Sequence, residues 1–69
     1  MPVINTIELE GVSEKSWGEA AREALREAAK TIRNINRLEV LGTSTEVDDN
    51  RIVRYRTEVR LYFEMESDR

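Results

Sequence analysis

An α+β fold in the order strand, helix, strand, strand is predicted by three features of the 69-residue sequence. The closing stretch from Ile52 to Met65 alternates almost without error. Val53, Tyr55, Thr57, Val59, Leu61, Phe63 and Met65 fall on one side, and Arg54, Arg56, Glu58, Arg60 and Glu64 on the other. Successive strand side chains project to opposite faces, so this is a long strand with one apolar and one ionic face. The segment around Trp17 to Ile32 instead repeats its apolar residues at helical spacing. Asp48-Asp49-Asn50 separates two strand-like runs, and Asp and Asn tolerate the left-handed conformations of a tight hairpin.

At the N-terminus, Val3, Ile7 and Leu9 alternate with Ile4, Thr6, Glu8 and Glu10 in a first strand ending at Gly11. Pro2 stands at its start, where a missing amide costs least. Two helix caps follow. Ser13 would place Glu14 in the first turn, and Ser16 with Glu19 would form a capping box. Ser13 is the preferred reading, which leaves Gly18 inside the helix at a cost of about 1 kcal/mol.

Trp17, Ala20, Ala21, Ala24, Leu25, Ala28 and Ile32 then form one helical stripe. Its alanines allow close approach to a sheet, with Trp17 and Ile32 filling the two ends as core residues. On the charged face, Glu19–Arg22, Glu23–Arg26 and Glu27–Lys30 offset like charges at four-residue spacing. Asn34 to Asn36 forms the exit, and a second strand runs from about Arg37 to Val47. Leu38 and Val40 lie on one of its faces and Glu39, Leu41, Thr43, Thr45 and Val47 on the other, with Gly42 marking a bend or bulge.

The hairpin makes the last two strands antiparallel, and a helical crossover returns the first strand parallel to the second. With the long strand in the middle, a three-stranded antiparallel sheet results, with the helix on one face. The face bearing Ile52, Tyr62 and the charges of the last strand is left uncovered.

Residues 1–69 form a single domain near the size at which a lone core barely offsets chain entropy. There is no cysteine and no histidine, which removes disulfides, thiol nucleophiles, imidazole bases and ordinary zinc sites. No catalytic residue and no metal ligand set is therefore assigned, and the chain reads as a non-enzyme. Glu46, Asp48 and Asp49 read as turn chemistry, since calcium wants more oxygens than they supply. The net charge of −3 is interleaved, with no basic patch, which argues against nucleic acid. No apolar run approaches the ~18 residues of a membrane span and no signal peptide is recognisable, so the expectation is a cytoplasmic protein. A small chain with an uncovered ionic face is expected to cover it with copies of itself, Glu58 and Glu64 serving as salt-bridge partners between subunits.

Four stretches, in this order and spacing, resemble the dodecin family over nearly the whole chain. They are Glu10-Gly11-Val12-Ser13, Ser16-Trp17-Gly18-Glu19-Ala20-Ala21, Thr31-Ile32-Arg33-Asn34-Ile35 leading into Glu39-Val40, and Tyr55-Arg56-Thr57-Glu58-Val59 followed by Phe63-Glu64. The resemblance implies a sheet wrapped around its helix and a hollow homododecamer that stores flavin, FMN or riboflavin. In flavin-binding dodecins a tryptophan two residues before the Glu-Val pair stacks on the flavin ring; that position is Arg37. A glutamine commonly follows the tyrosine of the last strand and bonds the flavin's pyrimidine edge; that position is Arg56.

Weak or lost flavin binding is therefore implied, and the Tyr55-Arg56 pair resembles the calcium-associated branch of the family. Arg37 and Arg56 are the candidate ligand-site residues, since arginine can stack on an aromatic plane or grip a phosphate. The competing expectation pairs them with Glu39 or Glu58 across strands or subunits. Two alternatives stay open: a dodecin holding a small anionic ligand other than flavin, or calcium, and a structural or regulatory module whose open face docks a partner protein.

Overall fold

β3 (Arg51–Glu64) runs through the middle of a three-stranded sheet, with β1 (Ile4–Ser13) and β2 (Ile35–Asp48) antiparallel on either side of it. The structure is a computed structural model that describes residues 3–65. The single helix, α1 (Trp17–Ala28), links β1 to β2 across one face. Asp49 and Asn50 both adopt positive φ, 54° and 63°, and close the two-residue hairpin between Asp48 and Arg51 that the sequence predicts.

The start of the helix differs from expectation. Val12 and Ser13 still pair with Arg56 and Tyr55, so β1 runs past Gly11. Ser16 is the cap, its hydroxyl accepting the Glu19 amide at 3.0 Å, while Ser13 accepts the amide of Lys15 at 2.9 Å and only turns the chain. The helix also stops at Ala28, short of Ile32, and Asn34 with φ 66° redirects the chain into β2.

Ala20, Ala24 and Ala28 form the buried face of α1, and Ala24 and Ala28 pack with Val59 and Leu61, both fully buried in β3. Burying each of these two side chains stabilises the fold by about 1.5–3 kcal/mol. Gly11 sets how close the layers come. A Cβ at that position would stand 1.8 Å from the Ala20 carbonyl oxygen, so only glycine lets the helix backbone lie on β1. Thr57, also buried, donates its hydroxyl to the Trp17 carbonyl at 2.9 Å and ties the first turn of α1 to the middle strand.

Trp17 is not the core residue that its helical spacing predicts, for it remains 43% exposed. It stands at the first helical position, where its ring meets Tyr55 edge to face at 5.2 Å and its indole N–H donates to the Ser44 carbonyl at 3.0 Å. The helix is also narrower than the sheet. Its 12 residues span about 18 Å and lie over β1 and β3. Val40, although paired with buried Val59, stays 54% exposed. In a body of 57 × 19 × 12 Å this leaves the helix side of β2 open as well as the ionic face.

The face assignment of β2 changes at Leu41. Val40 pairs with Val59 and Gly42 with Glu58, so Leu41 is an extra residue with no opposite number. Thr43 and Thr45 consequently pair with Thr57 and Tyr55, on the same side as Leu38 and Val40, contrary to simple alternation. Glu46 comes out beside Arg54 on the ionic face.

Candidate functional site

The open face of the sheet is organised by charge: β3 supplies arginines, and its two neighbours supply carboxylates. Arg60 lies directly between Glu8 of β1 and Glu39 of β2 in the register. It donates to Glu8 at 2.8 and 3.2 Å and to Glu39 at 3.4 Å. Toward the hairpin, Glu46 accepts from Arg54 at 2.6 Å and from Arg56, whose guanidinium also donates to Glu10 at 2.9 Å. Each of these arginines is therefore held by at least one carboxylate.

These contacts shift the carboxylates. The Tyr62 hydroxyl, followed by the charges of Arg60 and Arg37, holds the Glu39 carboxyl below its usual range. Hydrogen bonds from Arg56 and then Arg54 do the same to Glu46. In turn Glu46 holds Arg56 charged, and Glu8 holds Arg60 charged.

Arg37 is placed differently. The register sets it opposite Tyr62, and its guanidinium carbon lies 3.8 Å from the centroid of that ring. The Tyr62 hydroxyl donates to Glu39 at 2.6 Å, which anchors the ring. Among the described residues Arg37 makes no ion pair and no hydrogen bond through its guanidinium. With Ile4, Asn36 and Tyr62 it lines an open cleft of about 330 Å³. A second cleft of about 320 Å³ is lined by Glu8, Leu9, Glu10, Leu41 and Glu58.

The two candidates from the sequence are thus not brought together within one chain. Arg37 sits at the Tyr62 end of the sheet and Arg56 opposite Ser44, separated by about 20 Å of strand. Ion pairing describes Arg56, but its partners are Glu46 and Glu10, not Glu39 or Glu58. Arg37 has an aromatic partner that simple charge matching does not reveal. Glu46 is consumed by this ionic ladder and Asp49 by the turn, and no group of three metal-ligating side chains occurs among the described residues.

Comparison with known proteins settles the family. The sequence model of the dodecins matches residues 3–66. The chain belongs to the dodecin family. Dodecins are oligomeric binding and storage proteins, not enzymes.

Solved structures agree in fold. A variant of the Thermus thermophilus dodecin shares 26% identity over 99% of this chain and 100% of that one, with a TM-score of 0.93. The calcium dodecin of Mycobacterium tuberculosis, described as a calcium-chelating antigen, shares 28% identity over 97% and 96%, with a TM-score of 0.83. The dodecin of Streptomyces coelicolor, at 22% identity, 97% and 96% coverage and a TM-score of 0.92, has the same fold. No curated protein sequence matches the chain. No helix among the described residues is long and apolar enough to cross a membrane.

Proposed function

We propose that this dodecin is a cytoplasmic, non-enzymatic homododecameric shell that binds and buffers a small ligand, and that its grip on flavin is weak or lost. One observation carries the second half of this reading. Arg37 occupies the position at which flavin-binding dodecins resemble one another in carrying a stacking tryptophan, and Arg56, at the companion position, is engaged by Glu46 and Glu10. An aromatic pair contributes about 0.5–1.5 kcal/mol beyond the area it buries, and here the large ring is missing.

The apolar residues left open support the assembly. Val40, Trp17 and Ile4 are each exposed by more than two-fifths on a chain whose buried core is small. Calcium is the competing ligand, favoured by the likeness to the Mycobacterium tuberculosis calcium dodecin. With no group of three carboxylates gathered among the described residues, such a site needs contributions from several copies.

Native mass spectrometry tests the shell: a particle twelve times the mass of the 8.0 kDa chain is expected, and a stable folded monomer or dimer would remove the proposal. Titration with riboflavin, followed by flavin fluorescence, tests the ligand. Little quenching is expected at submicromolar protein; strong quenching there would overturn the reading of Arg37 and Arg56.

A further inference from the structure

Past its last bond to β1 the β2–β3 hairpin goes on alone. Ser13–Tyr55 is the final pair between β1 and β3, and α1 starts above Thr57 and runs the other way, toward Val59 and Leu61. Glu46 to Asp48 and Arg51 to Arg54 therefore form a two-stranded arm of about 13 Å that neither the helix nor the first strand reaches.

A hairpin without a third strand or a helix is at best marginally stable in water, and this one has an apolar side. Glu46 pairs with Arg54 and Val47 with Ile52, so Val53 is an extra residue in β3 and Ile52 changes face, contrary to simple alternation. Val47, next to Glu46, and Ile52 opposite it thus share the helix side of the sheet. They are 63% and 55% exposed.

A second uncovered apolar strip lies on the same side of β2. Trp17, Ala21 and Leu25 stand four residues apart on one flank of α1, and the indole bond to the Ser44 carbonyl turns that flank toward β2. Val40 is open on β2, and Trp17 and Leu25 are exposed on the helix. The arm cannot fold back onto this strip, because Val40 and Val47 are held apart by about 20 Å of the same paired strand.

Two arms placed face to face would meet over roughly 13 by 10 Å, far less than the ~800 Å² that each partner of a stable interface buries. A head-to-tail contact does better. Each chain then gives its arm to one neighbour and its strip to another, and such contacts close into a ring when their rotation allows.

We propose that the arm is the reaching element of the assembly: Val47 and Ile52 of one copy lie on Val40 and the Trp17–Leu25 flank of the next. This inference rests on the reading of the chain as a homo-oligomeric shell and adds to it which surfaces meet.

The chain has no cysteine, so V40C/V47C introduces two thiols of known position. Within one chain they stand too far apart for a disulfide, so every bridge joins two copies. Oxidation of the intact assembly, or a short bis-maleimide, is expected to give covalent products of three copies or more on a non-reducing gel. V40C or V47C alone should stay uncrosslinked. I52D should lose the twelvefold particle in native mass spectrometry while keeping the helix signal in circular dichroism, because Ile52 lies outside the buried core. Should I52D not fold, the cross-links alone decide.

Products that stop at two copies, V47C cross-linking as completely as the double variant, no covalent product from either reagent, or an I52D assembly as stable as wild type would each overturn the proposal. A wild-type dodecamer without these bridges removes the arm contact and leaves the shell standing, whereas a wild-type monomer removes the shell itself.

Discussion

On one side of β3, Thr57, Val59 and Leu61 are at most 1% exposed beneath the alanine face of α1; on the other, the side chains of Arg54, Arg56 and Arg60 reach carboxylates on both neighbouring strands and stay between 34% and 47% exposed. The two faces use different physics. The helix side depends on distance of approach, where a single Cβ decides whether two backbones can meet. The ionic side depends on long, adjustable side chains whose net contribution in one exposed chain is small. The first face therefore carries the fold of the protomer. The second carries little of it, and offers a patterned surface to whatever lies beyond the chain.

The sharpest way to break this contrast is at the point of closest approach. Gly11→Val places side-chain atoms into the Ala20 carbonyl, which is backbone and cannot step aside. A loss of about 3 kcal/mol or more is expected, read as a collapse of the denaturation midpoint or as failure to assemble. Leu61→Ala, which hollows the buried centre, should cost about 2–4 kcal/mol in chemical denaturation with an unchanged fold by circular dichroism. Thr57→Val keeps the volume but removes the hydroxyl donated to the Trp17 carbonyl, and about 1 kcal/mol is expected.

On the ionic side the effects should be smaller and should depend on pH. Glu39 and Glu46 ionise more readily when folded than their ordinary value of 4.5 implies. Their contribution is thus present above that value and drains away as pH falls through the depressed folded-state values. Melting profiles of wild type and Glu46→Gln should converge in acid and separate toward neutrality. Parallel profiles over the whole range would mean that the carboxylate contributes nothing to the fold.

Where local chemistry decides, the sequence was readable. The alternation of β3, the order of the strands and the Asp49-Asn50 turn all follow from residue type and spacing. The three charge pairs at three-residue spacing on α1 formed as expected. The helix start was not readable, because Ser13 and Ser16 both satisfy the local rules for a cap. The choice is made by β3, which keeps Val12 and Ser13 paired.

The site was half readable for a related reason. Arg37 and Arg56 stood out by position, but the partners of Arg56 were hidden. Simple alternation along β2 puts Glu46 on the helix side, and only the irregularity at Leu41 brings it round to Arg54 and Arg56. Tyr62 was visible on the open face, and counting back from the Asp48–Arg51 pair sets it opposite Arg37; what residue type does not announce is that the guanidinium lies on the ring and not on a carboxylate.

The unpaired Leu41 also gives β2 a degree of slack that the middle of β3 lacks. Losing one residue there would straighten the ladder while every later pairing, from Gly42–Glu58 to Asp48–Arg51, stayed in step. The same loss within the middle of β3 has no spare position to absorb it and would turn arginines toward the alanines of α1. Length changes in this small protein should therefore be tolerated in the outer strand near Leu41 and refused in the middle of the central one.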